Sequence, residues 1–210
     1  EVKAYFFILL TVFVLTFLTL GIYLEEPGTS LVQESAFQVV SIATTTGFLT
    51  ANYSNWPLFV PILLLLTAFI GACAGSTGGG IKVVRTLVLA KQSAGEITKL
   101  IHPNAVISIK LGKKAVSPRV AESVWGFFSI YVIVFILLFL FILAQGNDFI
   151  TSFSAVGATL NNLGPGLGEV SNNYQSLSDY SKLGLCMAML LGRLEIFTLL
   201  VLFTPAFWRK

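Results

Sequence analysis

The chain has 210 residues, of which 55% are hydrophobic and only 11% are charged. Soluble domains carry about 25% charged residues, so this composition excludes an ordinary soluble domain and indicates a membrane protein. The net charge is +3, but the sequence has no basic face with interleaved aromatic residues, which argues against nucleic-acid binding.

Three apolar stretches are long enough to cross a hydrocarbon core, which takes about 20 residues. They cover residues 5–24, 125–144 and 183–203. A fourth stretch, 56–70, is too short to cross unless the chain continues through the glycine-rich residues 71–82 into 83–89. The sequence therefore predicts a loop at membrane depth.

Charged residues predict the orientation of these spans. Eight basic residues against one acid lie between Lys82 and Arg119, which predicts a cytoplasmic segment. The stretches 25–56 and 145–182 are rich in acids, with Lys182 as their one base, and are predicted to face outside.

The same order of elements occurs twice: a span, a shorter segment and a second span. The short segments, residues 29–43 and 149–159, share a phenylalanine, a valine three residues later and a glycine after a polar run, with one inserted residue. The predicted organisation is a first unit at 1–90, a basic cytoplasmic linker at 91–118 and a second unit at 119–210. The predicted fold is an all-α membrane protein made of two tandem span–pore-loop–span repeats.

Each short segment has both flanks on the outside, so it is predicted to enter and leave the membrane on one face. Thr29-Ser30 and Asn147-Asp148 are predicted to cap the two half-helices. Non-helical backbone cannot face lipid and must be buried in protein or line water. Two segments that enter and leave the membrane on the same face therefore predict a shared aqueous path.

The polar residues that follow each short segment have the composition of a cation filter. Backbone carbonyls can replace the hydration shell of a large monovalent cation, glycine permits the required backbone angles, and threonine hydroxyls add neutral oxygens. Taken singly, such a run is more often an ordinary loop or helix cap, but two runs in matching positions favour the filter. The candidate filter residues are Thr45, Thr46, Gly47, Asn161, Asn162, Leu163 and Gly164.

The glycine-rich loop is predicted to be a gate. Glycine costs about 1 kcal/mol in a helix interior, so five glycines in twelve residues predict an irregular segment able to move aside. A phosphate-binding loop is excluded because Ile81 separates Gly80 from Lys82 and Val83 follows the lysine. The candidate gate residues are Gly71, Gly75, Ser76, Thr77, Gly78, Gly79, Gly80 and Arg193.

Two charged residues lie about halfway along the last predicted span. Embedded charges usually face a cavity or a partner, and two residues apart on a helix they cannot simply neutralise each other. Arg193 is predicted either to make a structural contact or to project into the path below the filter as a barrier. Glu195 is the candidate member of a structural ion pair. No nucleophile–base arrangement or metal-ligand cluster is evident, so no enzymatic activity and no organic cofactor are predicted.

Four motifs together resemble the Trk/Ktr/HKT superfamily of potassium transporters: ATTTGF, GSTGGGIKVVR, TLNNLGPGLG and GRLEIFTLLVLFTPAFW. The resemblance covers essentially the whole chain. It implies half of a four-repeat, pseudo-fourfold, potassium-channel-like pore, of which this chain resembles the third and fourth repeats. The missing initiator methionine likewise predicts that the chain starts within a larger protein.

The resemblance implies that potassium is the transported ion, bound at the backbone of Thr46, Gly47, Leu163 and Gly164. It implies a multi-pass protein of the bacterial cytoplasmic (inner) membrane whose linker and C-terminus are cytoplasmic. The implied partners are the other two repeats, a second copy in a homodimer, membrane lipid and a cytosolic ring of nucleotide-binding subunits that senses ATP or NAD. The linker and Arg209-Lys210 are candidate docking surfaces for that ring.

Two other function classes remain open from the sequence. A cation-coupled secondary carrier with broken helices predicts inverted repeats, whereas these repeats run in parallel. A membrane scaffold without transport predicts that Gly47 and Gly164 tolerate alanine.

Overall fold

The computed structural model describes residues 1–23, 28–105, 107–112, 114–202 and 204–208. Within these ranges the fold is helical, with one small hairpin. The helices are α1 Val2–Tyr23, α2 Gly28–Ala43, α3 Phe59–Ile70, α4 Val83–Ile101, α5 Pro118–Leu143, α6 Phe149–Leu160, α7 Asp179–Arg193, α8 Ile196–Leu202 and α9 Pro205–Trp208. Short 3₁₀ turns occupy Tyr53–Asn55 and Gly168–Val170, and β1 Lys110–Leu111 pairs antiparallel with β2 Lys114–Ala115.

Helices α1 and α5 are the long spans. Among the described residues, these two helices are long and apolar enough to cross a membrane. Most of α1 is exposed although it is apolar along its whole length, which is the pattern of a helix with lipid around it. The two corresponding predicted spans are confirmed, except that residue 24 lies outside the described residues.

The prediction of one continuous last span at residues 183–203 was wrong. Helix α7 ends at Arg193, and α8 begins at Ile196. Glu195 lies between them with φ at +52°, which is incompatible with a continuing right-handed helix. The side chains of Arg193 and Glu195 explain the break, since Arg193 bonds to the glycine-rich segment and Glu195 bonds to α4. Residue 203 lies outside the described residues.

Helices α2 and α6 are the short helices of the two units. The Asp148 side chain caps α6 by accepting a hydrogen bond from the Thr151 amide at 3.1 Å, as its position predicts. The predicted cap at Thr29-Ser30 was wrong, because α2 already begins at Gly28 and both residues lie in its first turn.

The two units share one core. Helix α6 is buried almost throughout, and the largest apolar cluster joins α1, α2 and α3 to residues of the second unit. Val39 and Leu64 of the first unit belong to the same cluster as Ala158 and Leu163 of the second. This shared core holds the ends of α2 and α6 next to each other.

The basic segment is partly helical. Helix α4 continues from the glycine loop to Ile101, so the predicted linker at 91–118 begins inside a helix. The hairpin follows, and Ser117 then caps α5 by accepting a hydrogen bond from the Val120 amide. The division into units at residues 90 and 118 stays a prediction.

Candidate functional site

The chain turns in the same way at the ends of α2 and α6. The Thr45 and Asn162 amides donate three residues back, to Ile42 and Thr159, each at 3.0 Å. The next amides, of Thr46 and Leu163, donate five residues back to carbonyls of their own helices, each at 2.8 Å. This pair of bonds defines a Schellman motif, whose central residue takes the left-handed conformation. Thr44, Thr45, Thr46 and Gly47 thus correspond to Asn161, Asn162, Leu163 and Gly164. The shared phenylalanine and valine of α2 and α6 fall one residue out of step with this correspondence.

Thr45 adopts a conformation that its side chain disfavours. Its φ is +56°, and the corresponding Asn162 has φ +53°. Asparagine tolerates the left-handed region, whereas a β-branched residue there is an outlier. The Thr45 hydroxyl donates to the Thr44 carbonyl at 2.7 Å and accepts from the Gly79 amide at 2.8 Å. These two bonds offset the strain and link the turn directly to the glycine loop.

The backbone carbonyls of both turns lack protein donors. No described residue donates a hydrogen bond to the carbonyl oxygens of Thr45, Thr46 and Gly47, or to those of Asn161, Asn162 and Leu163. The next carbonyls are bonded within the protein, since Ser41 donates to Phe48 at 2.6 Å and Tyr174 donates to Gly164 at 2.7 Å. Each turn therefore presents three successive carbonyls that are free to bind another group.

The two turns lie side by side. A Cβ added at Gly47 would overlap the Leu163 carbonyl oxygen and come within 3.1 Å of Pro165 Cδ. The buried Tyr53 hydroxyl, from the first unit, donates to the Gly166 carbonyl at 2.8 Å. The free carbonyls of the two units are therefore close together.

The glycine loop, residues 71–82, lies against both turns. A Cβ at Gly78 would come within 3.3 Å of the Thr44 carbonyl, and a Cβ at Gly79 would overlap the Asn161 carbonyl oxygen. At its ends the loop folds on itself, since a Cβ at either Gly71 or Gly80 would overlap backbone. Only glycine therefore fits at positions 71, 79 and 80, and a Cβ at Gly78 would be tightly packed.

Cationic side chains hold the middle of the glycine loop. Arg193 Nη1 donates to the Thr77 carbonyl at 2.7 Å. Lys82 Nζ donates to the Ser76 carbonyl at 2.9 Å and also to the Gly78 carbonyl. Three successive loop carbonyls are thus bonded to positive charges.

A second link joins the segment between α7 and α8 to α4. Arg85 Nη2 contacts Glu195 Oε2 at 2.7 Å, and the same guanidinium lies 4.2 Å from the centroid of the Phe127 ring. A cavity of about 320 Å³ lies between this pair and the loop. Gly75–Gly80, Lys82, Arg85, Phe127, Tyr131, Leu160, Gly192, Arg193, Glu195 and Ile196 line it.

The comparisons with known proteins agree with this geometry. The family model described as "TrkH: Cation transport protein" matches residues 4–210. The chain belongs to the TrkH family. It is 58% identical over 179 residues to the Trk system potassium uptake protein TrkH of Escherichia coli K12, covering 85% of the chain and 37% of that protein. It is 52% identical over 211 residues to TrkH of Salmonella typhimurium, covering all of the chain and 44% of that protein.

A solved structure of a TrkH relative has the same fold. The crystal structure of the potassium transporter TrkH from Vibrio parahaemolyticus matches with a TM-score of 0.92 and 50% sequence identity, covering 99% of this chain and 44% of that one. This TrkH-family chain therefore spans less than half the length of the relatives it matches.

The structure brings the candidate residues of this TrkH-family chain together. The filter candidates form the two turns, Gly78 and Gly79 of the loop lie against them, and Arg193 bonds the loop at Thr77. Glu195 lies in an ion pair with Arg85. Their roles in transport stay predictions, and Arg209-Lys210 lies outside the described residues.

Sequence reasoning missed Lys82 and Arg85 as site residues, because it counted both only as cytoplasmic charges. It also missed Tyr131, whose hydroxyl donates to Asn161 Oδ1 at 2.7 Å in the buried core. The signal for Lys82 and Arg85 was their position: they are the first two charges after the glycine loop, which is predicted to lie at membrane depth.

Proposed function

We propose that this chain forms two of the four units of a pore for potassium uptake across the bacterial cytoplasmic membrane. Potassium passes by channel-like conduction between the turns at Thr45–Gly47 and Asn161–Gly164, and the glycine loop gates the path below them. The family and the relatives, which are named as potassium uptake proteins, support the choice of ion.

The observation that carries this proposal is the pair of turns with unbonded carbonyls. A carbonyl without a partner costs several kcal/mol at membrane depth, so these six carbonyls, four of which occupy matching positions (Thr45 with Asn162 and Thr46 with Leu163), require another partner. A partly dehydrated cation supplies that partner, because it takes neutral oxygens in place of its water. The ends of α2 and α6 add to the attraction, since helix C-termini carry partial negative charge.

The glycine loop is suited to close this path. It lies against the Thr44 and Asn161 carbonyls, and its own contacts there are main-chain contacts and the single bond from Gly79 to Thr45. Arg193 holds the loop in place through Thr77 and adds a positive charge beside the path. Breaking this bond removes one of the loop's attachments without disturbing the core.

The complete transporter needs partners that this chain does not contain. The other two units of the same subunit close the pore, and a second copy forms a homodimer. A cytosolic nucleotide-binding ring regulates the gate and docks on the basic cytoplasmic surface at residues 91–118. These assignments follow from the family resemblance, and the short length relative to the relatives supports the need for further units.

Flux through the full-length transporter in proteoliposomes tests this function. Deletion of residues 74–79, or Arg193→Ala, is expected to raise potassium flux about tenfold, because a charge-assisted hydrogen bond contributes about 1.5–3 kcal/mol. Arg119→Ala is the matched control, since Arg119 is exposed at the start of α5. Unchanged flux in both loop variants would contradict the gate, and equal sodium and potassium flux in the parent protein would contradict the filter.

A further inference from the structure

We propose that the glycine loop contains a monovalent-cation site, formed by the Ser76 carbonyl, the Ser76 hydroxyl and the Gly78 carbonyl, which the Lys82 ammonium occupies while the loop is closed. Lys82 thus acts as a tethered cation that competes with the transported ion for the same oxygens. The proposal rests on the proposed function, since it concerns how that gate is released.

The contacts of Lys82 define the site. Its Nζ lies 2.9 Å from the Ser76 carbonyl oxygen and 3.4 Å from the Ser76 hydroxyl, and it also donates to the Gly78 carbonyl. An ammonium has three donors and no acceptor, so three neutral oxygens match it fully. No carboxylate takes part in these contacts.

The same set of oxygens suits a potassium ion. Lysine presents a compact single positive charge, and neutral carbonyl and hydroxyl oxygens are also the groups that bind a dehydrated monovalent cation in a filter. The loop between Gly75 and Gly80 has few side chains, so its backbone can fold around either charge. The chemical class of the ligand is therefore a monovalent cation.

Lys82 is held less firmly than Arg193, and this makes it the exchangeable cation. Lys82 has φ +79° and directly precedes α4, where the partial positive charge of the helix N-terminus repels an ammonium. Arg193 ends α7, where the partial negative charge of the C-terminus attracts a guanidinium. Burial also disfavours the charged ammonium, and Arg85 and Arg193 repel it, against the attraction of Glu195.

The site lies next to the turns. Gly78, which supplies one oxygen, precedes Gly79, whose amide bonds the Thr45 hydroxyl at 2.8 Å. A cation that leaves the carbonyls of Thr45 and Asn161 towards the loop meets these oxygens first. When it displaces Lys82, the loop loses one of its two cationic attachments, so potassium promotes the opening of its own gate.

Flux measurements on the full-length Lys82→Met variant test the competition. Methionine has similar length and no charge, so flux at low potassium is expected to rise about tenfold, the effect of removing charge-assisted hydrogen bonds. At saturating potassium the variant and the parent converge, because the ion then displaces Lys82 in both. Lys182→Met is the matched control; its ammonium lies 3.4 Å from the Asp179 carboxylate in the first turn of α7, away from the loop, and flux is expected to stay unchanged.

Crystals of the same variant soaked in rubidium give a direct readout. At a rubidium concentration too low to displace Lys82 in the parent protein, anomalous density is expected between Ser76 and Gly78 in Lys82→Met and not in the parent. If Lys82→Met does not fold, Ser76→Ala removes one of the three oxygens and is expected to raise low-potassium flux about threefold through a weaker hold on Lys82.

The outcomes separate the two proposals. If deletion of residues 74–79 raises flux while Lys82→Met behaves as the parent and binds no rubidium, the loop is a gate without a cation site and this inference is overturned. If the deletion leaves flux unchanged, the gate itself is overturned. A uniform change of flux at every potassium concentration would also overturn the inference, because a purely structural lysine would act in that way.

Discussion

The two units end their short helices with the same turn but place different structures against it. In the first unit, residues 71–82 separate α3 from α4, and the loop reaches the turns through main-chain contacts and the Thr45 hydroxyl. In the second unit, only Leu194 and Glu195 separate α7 from α8, and Gly192 packs directly on the end of α6. The connection between α3 and α4 is long and has few side-chain contacts with the turns, whereas the connection between α7 and α8 is short and closely packed. We therefore propose that the loop of the first unit moves while the second unit stays fixed as the frame.

The buried hydrogen bonds agree with this division. In the second unit, Tyr131 donates to Asn161, whose own amide group donates to the Gly157 carbonyl at 2.8 Å. Both residues are buried, so these bonds are protected from competition by water. In the first unit the corresponding residue is Thr44, whose hydroxyl bonds its own helix. The turn of the second unit is thus held both by α5, through Tyr131, and by its own helix α6, through Gly157.

The largest expected effect is that of alanine at Gly47. Its φ is +79°, and a Cβ would also overlap the Leu163 carbonyl oxygen, so Gly47→Ala combines backbone strain with a clash against the facing turn. We expect loss of potassium flux by more than about a hundredfold, since these terms together exceed about 3 kcal/mol. The measurement is rubidium uptake by proteoliposomes with the full-length protein.

Gly164→Ala is the matched comparison within the second unit. Gly164 has φ +103°, but a Cβ there meets no atom of the described residues within 4 Å. Only the backbone strain applies, so we expect a loss of about tenfold. Equal losses in the two variants would show that the clash at Leu163 does not matter, and full activity in both would contradict the filter.

The next largest expected effect is that of alanine at Gly192, which packs closely against α6. A Cβ there would overlap the Leu160 carbonyl oxygen and lie 2.7 Å from Asn162 Nδ2, so Gly192→Ala pushes α7 away from α6. We expect the thermal unfolding midpoint in detergent to fall, with a cost of about 1–3 kcal/mol. Gly126→Ala is the control, because its Cβ would meet only Phe197 Cζ at 3.7 Å, an ordinary contact. If the two variants unfold alike, the second unit is not the rigid frame.

The sequence was sufficient to predict the two long spans α1 and α5, the two short helices α2 and α6 and the irregular glycine-rich segment, because each leaves a local pattern of apolar residues or glycines. That the short segments are re-entrant and that the loop lies at membrane depth stay predictions. The break at Glu195 could not be predicted in this way. It depends on Arg85, which is more than a hundred positions away along the chain, and on the Thr77 carbonyl that binds Arg193. Likewise, the strained Thr45 is understandable only once Gly79 is seen beside it.

The ion pair of Arg85 and Glu195 is expected to contribute less than the glycines. The side chains of Arg85 and Glu195 are 23% and 54% exposed, and such pairs contribute up to about 1 kcal/mol. The stacking of Arg85 on Phe127 adds about 0.5–1 kcal/mol, which Arg85→Gln removes and Glu195→Gln does not.

A double-mutant cycle of Arg85→Gln and Glu195→Gln measures this link through the thermal unfolding midpoint. We expect a coupling of about 0.5–1 kcal/mol, with Arg85→Gln the more destabilising single change. No coupling would mean that the break between α7 and α8 is held by Arg193 and Gly192 alone. The segment between α7 and α8 would then be joined to the first unit through the bond from Arg193 to the glycine loop.

The last expected effect, comparable in size to that of the ion pair, is at the N-terminal end of α6, which Asp148 caps. Hydrogen bonds from Thr151 lower the pKa of the Asp148 carboxyl, and the nearby backbone amides act in the same direction, while burial opposes them. A lowered pKa in the folded state means that the carboxylate stabilises the fold above its ordinary pKa of about 3.9 and ceases to do so as the pH falls through the folded-state value. Asp148→Ala is therefore expected to cost about 1 kcal/mol at neutral pH and less in acid. Asp148→Asn retains the cap without the charge, so its unfolding midpoint should lack this pH dependence. If Asp148→Ala and the parent lose stability in parallel on acidification, another carboxylate causes the acid sensitivity, and the frame does not depend on this cap.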